Sequence, residues 1–401
     1  VDIDIYNPEV YARGVPHAAF ARLRREAPVS WHSDTGSGFW AIVRYDDVVE
    51  VGRDFRTFSS ARGSTLEEMD DEQLAARRSM MDLDPPEHTR IRRLVGRGFT
   101  PRVVQSYENA IRVMTKSILD SVLPKGEFDF VEQVSKPLPV RWLCRYLGVP
   151  AEMTERMIDW TDRMLGQSDP DYQESEGYRL APFGTKAGWE CFQYAAQLAA
   201  ERRAVRGDDV LSQVLAAEPG GEPLSDGEFQ NFFSLLVIAG QEATRHSISQ
   251  GMLALIERPA ELGRLQKHPE LLDTAVEEMI RWATPIYHFR RTATREVTMH
   301  DTTIHPGDKV LIWYISANFD ETAFPDPLHF DIERHPNEHV SFGKGGPHYC
   351  LGAPVGRLQV RVTFEELLPR LAHIELGGPV ERLRSNFIHG IKRMPVRVTT
   401  A

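Results

Sequence analysis

The stretch "HVSFGKGGPHYCLGAPVGR", residues 339–357, decides how the chain is read. It sets Cys350 after Gly343, Gly345 and Gly346, and just before "CLGAPVGRLQVRVTFEELLPRL" (350–371), which has helical periodicity. Glycines let backbone approach a bulky object closely. The unpaired N–H groups and positive dipole at a helix start favour a thiolate. A thiol so presented has three uses: nucleophile, metal ligand, or inert buried group. The loop by itself leaves all three open.

Working outward, the bulk numbers narrow the class. The chain has 401 residues, 41% hydrophobic and 26% charged, the profile of a soluble globular protein with a sizeable core. A net charge of −11 argues against general nucleic-acid binding. The three cysteines, Cys144, Cys191 and Cys350, are too few and too spread for a disulfide framework. The N-terminal "VDIDIYNPEVYARG" has no basic region followed by an apolar one, and no run of about 18 apolar residues occurs, so neither a leader nor a membrane anchor is expected. Cytoplasmic location follows as the expectation. With no repeat and no flexible linker, residues 1–401 are expected to form one domain.

Periodicity gives a mainly α chain with a minor β-sheet part. Residues 16–27 read as a short helix, "GFWAIVRY" (38–45) as a strand in a hairpin with the segment near Trp31, and 86–280 as mostly helical. Strand-like runs return at 287–304 and 394–400, and strands from both ends of the chain are expected to share one small sheet. Ser225 and Glu228 make a capping box that opens a single helix, running to Pro259, of about 33 residues or roughly 50 Å. Its centre, "AGQEAT" (239–244), puts Gly240 and polar groups where a core helix should be apolar, so something should fill that space.

Three further segments carry chemistry-bearing residues. "DPPEHTRIRR" (84–93) puts His88 and Arg92 one turn apart on a helix, an anion clamp or a solvated basic face. In "EEMIR" (277–281), Glu278 and Arg281 are an i,i+3 pair of the kind common on surfaces. "HFRRTATREV" (288–297) leads Arg290 and Arg291 into a strand, where only one of two adjacent residues can point inward.

In this order and spacing, these segments together with the Cys350 loop and "AGQEAT" resemble soluble bacterial cytochrome P450, a family of haem-thiolate monooxygenases. The resemblance runs from "GFWAIVRYDDVVEV" (38–51) to "NFIHGIKRMPVRV" (386–398). It implies haem b between a long distal helix and the proximal Cys-loop helix, with Cys350 as the thiolate ligand of iron. His88, Arg92, Arg291 and His348 fall at the positions that hold the haem propionates, Arg291 rather than Arg290 because of the following "TAT". Phe342, Gly352 and Ala239 fall beside the cofactor. Glu278 and Arg281 match the pair that braces the fold behind it, with Arg334 of "FDIERH" as third partner.

Two departures stand out. Phe342 precedes Cys350 by eight residues rather than the usual seven, a longer loop shared with sterol and branched-lipid hydroxylases. The distal pattern Ala-Gly-x-acid-Thr is met by Gly240 and Glu242, but Ala243 stands where the threonine belongs, and Thr244 follows about 100° round the helix. Either Thr244 reaches in through helix distortion, or water and substrate hydroxyls serve instead, or coupling is weak.

The implied reaction inserts one atom of O2 into a C–H bond of a hydrophobic small molecule, of terpenoid, sterol or lipid type. No flavin or iron–sulfur segment is present, so electrons from NAD(P)H would come indirectly, through a separate ferredoxin and its reductase. Arg90, Arg93, Arg97, Arg102, Lys344, Arg357 and Arg361 offer a basic docking face. A peroxide-dependent haem-thiolate enzyme or a non-redox isomerase is the alternative. The family layout places Met80, Met81, Leu83, Phe233, Val237, Ile286, Tyr287, Phe289 and Ile388 at the substrate, with the charged 59–81 segment as a lid; a monomer is expected.

Overall fold

The computed structural model describes residues 3–33, 36–174, 177–205, 210–215 and 223–401, with backbone only at 97, 101, 210 and 213. Helices form most of the core. The Ala353–Leu367 helix packs on Pro101–Val122 and on Glu242–Ile256, which in turn packs on Leu272–Ala283. The short helix expected at 16–27 spans His17–Glu26.

A five-stranded sheet flanks the helices. Val29–His32 pairs antiparallel with Phe39–Ile42, Trp31 opposite Trp40; Phe39–Ile42 runs parallel to Lys309–Trp313. That strand pairs with His288–Ala293, and Phe58–Ser59 closes the far edge. "KVLIW" (309–313) is buried throughout, as an interior strand covered on both faces should be. The one-sheet expectation holds for the N-terminal strands and fails for the C-terminal one. Pro395–Thr400 instead pairs with Glu127–Asp129 and Leu371–Leu376 in a separate sheet.

The expected 33-residue helix is two helices, Asp226–Ala239 and Glu242–Ile256. Ser225 and Glu228 do form the capping box. The break at Gly240–Gln241 has a local cause. Gln241 leaves helical geometry at φ −125°, and its side-chain amide donates to the Val237 carbonyl at 2.6 Å, to Thr161 Oγ1 at 2.6 Å and to the Met157 carbonyl at 3.2 Å. In a continuous helix the Val237 carbonyl would pair with the Gln241 backbone N–H. Gly240 fits because a Cβ there would lie 2.7 Å from the Leu236 oxygen and 3.0 Å from Leu143. Periodicity does not register such a break, because the apolar pattern continues in phase across it.

Candidate active site

One cavity of about 340 Å³, within the roughly 300–1,000 Å³ range of small-molecule and cofactor sites, lies between the Gly240–Gln241 break and the start of the Ala353–Leu367 helix. Cys350 faces it. The Cys350 backbone N–H donates to the Phe342 carbonyl at 2.8 Å, closing the loop on itself. Gly346, at φ +75°, lies against the Gly52–Arg53 backbone; a Cβ there would sit 2.5 Å from the Gly52 oxygen. Gly346 therefore packs the loop on the protein, whereas Gly343, Gly352 and Gly356 line the cavity.

The thiol is open to the cavity and shielded from bulk water. Burial raises its pKa, opposed by the N–H groups of Gly352 and Ala353 and by the Arg92 and Arg357 charges. A sulfur in this position ionises readily only when a cation binds it. Phe342 lines the cavity beneath the Arg357 guanidinium, 4.5 Å from its ring centroid.

Four basic side chains, His88, Arg92, Arg291 and His348, line one side of the same cavity. The imidazoles of His88 and His348 lie 4.4 Å apart. Burial first, and then the neighbouring guanidinium charges, lower His88 to about 4 and His348 to about 2. Arg92 donates to the Tyr349 carbonyl at 2.6 Å. Arg291 is 4% exposed and donates to the Arg290 carbonyl at 2.7 Å, and no carboxylate pairs with it among the described residues. A buried guanidinium without a carboxylate is costly, and an anion beside it resolves the cost. The residues present therefore fit a dianionic porphyrin: a sulfur ligand, two guanidinium groups and two imidazoles without a carboxylate ion pair among the described residues, and a cavity between them. Arg290 turns the other way, to the Glu67 carbonyl at 2.9 Å, as strand alternation requires.

Behind the loop, Glu278 and Arg281 are both fully buried, not a surface pair. They join through two 2.7 Å bonds, Nε to Oε2 and Nη2 to Oε1, a bidentate geometry. Glu278 also accepts from Arg334 Nε at 3.1 Å, Asp331 N at 3.0 Å and Asn337 Nδ2 at 3.0 Å. Arg281 spends Nη1 on the carbonyls of Asn318 and Pro327. A second tie, Glu277 to Arg357 (2.6 Å) and His339 (3.1 Å), anchors the Cys350 loop to the Leu272–Ala283 helix. The sequence reading missed Glu277, although it stands beside Glu278.

The distal side holds Ala239, Gly240, Glu242, Ala243 and Thr244 at the cavity. Glu242 is 4% exposed and accepts from His246 Nε2 at 2.7 Å and Arg245 Nη1 at 3.3 Å. His246 Nδ1 accepts the Ile391 N–H, so its Nε2 carries the proton. Burial alone would raise Glu242, but Arg245 and His246 outweigh it and hold the carboxyl low. Burial also lowers His246, so that ring is neutral and Arg245 supplies the charge. Arg245 continues to Asp162 at 2.6 Å and Asp162 to Lys136 at 2.9 Å. Thr244 lines the cavity as well; its Oγ1 lies 3.7 Å from where a Cβ on Gly356 would stand, as a Phe342 ring carbon does, and so is directed toward the start of the Ala353–Leu367 helix. At position 243, the side facing the cavity carries no hydroxyl.

Of the expected substrate contacts, Met80, Met81, Ile286, Phe289 and Ile388 line the cavity; Leu83, Phe233, Val237 and Tyr287 do not. Leu83 is buried in the helical core. Phe233 packs on Tyr194, 5.8 Å between centroids, and Tyr287 stacks between Tyr11 and His389. Asn231, Leu235 and Ile238 take their places. The sequence held the signal. Stepping back from Ala239 by four and eight gives Leu235 and Asn231, whereas Val237 and Phe233 are two and six positions away, on another face. Phe183 and Phe387, from loops, had no such signal.

The expected basic face is largely neutralised. Arg90 pairs with Glu228, Arg357 with Glu277, Arg361 with Glu108 and Glu365, and Lys344 with Glu338. Arg93 and Arg102 are exposed and form no ion pair among the described residues; the Arg97 side chain lies outside them. Among the described residues no helix is long and apolar enough to cross a membrane.

The sequence profile described as Cytochrome P450 matches residues 190–392. The methyl-branched lipid omega-hydroxylase of Mycobacterium tuberculosis is 39% identical over 393 residues, 95% of this chain and 91% of the relative. The steroid C26-monooxygenase of the same species is 38% identical over 410 residues, 99% and 92% of the two chains. Among solved structures, a Mycobacterium marinum cytochrome P450 in complex with pseudoionone superposes with a TM-score of 0.91 at 39% identity, covering 99% of this chain and 98% of its own.

Proposed function

The chain belongs to the cytochrome P450 family and is a haem-dependent monooxygenase; from that premise we propose that it hydroxylates a hydrophobic lipid near the end of a saturated chain. The relatives named for methyl-branched lipids and for steroid C26 support a terminal carbon as the point of attack. The apolar lining by Met80, Met81, Leu235, Ile286, Phe289 and Ile388 supports a hydrophobic ligand.

The observation that carries the assignment of residues is Cys350 facing a cavity whose opposite rim holds the helix break and whose side holds Arg291 without a carboxylate. Cys350 would ligate the iron, while Arg92, Arg291, His88 and His348 would hold the propionates. Bound haem supplies oxygen activation, in which one atom of O2 enters the C–H bond and the other leaves as water, consuming two electrons and two protons. This chain's residues do the rest. Phe342 and the Gly352–Ala353 amides shield the sulfur. The Gly240–Gln241 break leaves room at the distal wall of the cavity, and Glu242, fixed by His246 and Arg245, holds a negative charge there. Glu278, Arg281 and Arg334 keep the loop in place. The reaction is expected in the cytoplasm, in one monomeric domain, with electrons from a ferredoxin that meets Arg93 and Arg102.

The test is the reduced carbon-monoxide complex of the purified holoenzyme. A long-wavelength Soret band in the parent, lost in Cys350→His with haem retained, supports the ligand assignment; an imidazole-type band in the folded parent refutes it. A second reading, turnover driven by peroxide alone, draws on Ala243, which puts no hydroxyl where the family pattern has one, and on Thr244 Oγ1 directed toward Gly356. Product formed with ferredoxin and reductase but not with peroxide removes it.

A further inference from the structure

Two segments of the cavity wall meet at the protein surface. One carries Glu67, Met69 and Arg77 and includes the Asp71–Arg77 helix; the other carries Pro182 and Phe183. Glu67 lines the cavity, yet its side chain is 42% exposed, so the wall reaches solvent here. Among the described residues, every hydrogen bond between residues 67–77 and residues 178–184 involves Arg179. Its guanidinium donates through Nη1 to Glu72 at 2.6 Å and through Nη2 to Asp70. Its carbonyl accepts from Arg77 and, at 3.4 Å, from Gln73.

The two halves of this tie differ in strength. The inner half is buried, with the Arg77 side chain covered and a Cβ on Gly184 placed 2.8 Å from its Nη2. The outer half is exposed: Arg179, Asp70 and Glu72 all keep half or more of their side-chain surface in water. Exposed ion pairs are weak and are screened by salt. The helix is anchored elsewhere, because Asn231 donates to the Ala76 carbonyl at 3.1 Å. The opposing turn is strained: Phe183, facing the cavity, has φ +57° and Gly184 has φ +66°. An aromatic residue holds a left-handed conformation only while its surroundings enforce it. Weak outer ties and a strained inner residue are the makings of a segment that opens locally.

We infer that Arg179 latches a mouth of the cavity: the 178–184 turn swings from the Asp71–Arg77 helix to pass ligand, and the two outer ion pairs set how often it does so. This holds whatever the substrate is. A latch that closes over the empty and the filled cavity alike changes entry and exit together and leaves affinity alone. Stopped-flow mixing of ferric holoenzyme with 4-phenylimidazole, whose nitrogen shifts the Soret band on binding iron, reads entry; dilution of the complex reads exit. In Arg179→Gln at low salt both rates should rise about threefold to tenfold, roughly the worth of two exposed ion pairs, with Kd unchanged. Near 1 M salt, where the screening length is about 3 Å, the parent should approach the variant. Glu72→Gln should give a smaller rise in the same direction; it is preferred to a change at Asp70, whose Oδ1 also caps the helix at the Gln73 N–H. Amide exchange over residues 71–77 and 179–184 of the ligand-free holoenzyme should quicken in Arg179→Gln, which reads the same opening without any ligand. Unchanged rates, the same salt response in parent and variant, or a weakened Kd with a lower melting temperature overturns the latch.

Discussion

Around Cys350 the fold fixes side chains by redundant buried contacts, whereas across the cavity it leaves a helix broken at Gly240–Gln241 and an alanine at position 243. Glu278 accepts from five protein donors, and Arg281 uses both edges of its guanidinium. Opposite, Gln241 holds the helix open with one side chain, and Ala243 offers no polar atom beyond its backbone. The difference teaches where chemistry is invariant and where it is adjustable. The proximal side holds one sulfur, two guanidinium groups and two imidazoles, and the distal side lines the space left for a substrate.

The contrast breaks most simply at the sulfur. Cys350→Ala should lower oxygenase turnover by about a thousandfold, roughly 4 kcal/mol in barrier, with little change in melting temperature. Wild-type-like turnover would mean that the sulfur is incidental. Next in size is the brace. Glu278→Gln leaves two buried guanidinium groups without their carboxylate, a change that typically costs about 3–5 kcal/mol. A fall in both melting temperature and haem content is the expected result; a stable, fully loaded variant would show that the proximal side is less rigid than its contacts imply.

Acid should act on the same side. Glu277 is lowered from its ordinary 4.5 to about 2; burial opposes this, and the bonds from His339 and Arg357 override it. Burial also lowers His339, whereas Arg357 stays charged throughout this range. Because the folded carboxyl is the stronger acid, its contribution is complete above pH 4.5 and is lost as pH falls toward 2. The window is worth up to about 3 kcal/mol. In Glu277→Gln the acid branch of the stability curve should flatten; an unchanged branch would remove Glu277 from the account. On the distal side, Ala243→Thr restores a hydroxyl that faces the cavity. Product per NAD(P)H should rise severalfold and peroxide release should fall. No change would mean that proton delivery already runs without it.

Legibility in the sequence follows the same division. Cys350, Glu278 and Arg281 could be singled out only through the family resemblance, since the loop alone left three uses open and the pair alone looked like a surface salt bridge, whereas it is fully buried. The four basic side chains that line the cavity were likewise picked out through the resemblance, since His88 and Arg92 alone look like a solvated face. The helix break was not readable: Gln241 causes it by turning its amide back on Val237, and a glutamine in that place gives no sign of which way it turns. Phe233 and Val237 were misplaced by treating apolar character as evidence of facing the ligand, when helical phase from Ala239 excludes both. The C-terminal strand was assigned to the wrong sheet because alternation marks a strand without naming its neighbour.

The smallest expected effect concerns the electron donor, and it too separates fixed from adjustable residues. Arg357 looks like a docking cation in sequence, yet it is bound to Glu277 at 2.6 Å and lies over Phe342, so its charge serves the loop. Arg93 follows Arg92, which reaches the Tyr349 carbonyl next to the sulfur, and it is exposed with no ion pair among the described residues. Only a charge of that kind remains available to an acidic partner. Arg93→Glu should raise the KM for ferredoxin a few-fold at low salt with kcat and peroxide-driven turnover unchanged. The difference should fade near 0.5 M salt, where the screening length falls below about 5 Å. Arg357→Gln should instead lower the melting temperature and disturb the Soret band at every ionic strength. If the two variants exchange these signatures, the donor docks through the side chains that appear committed to the loop.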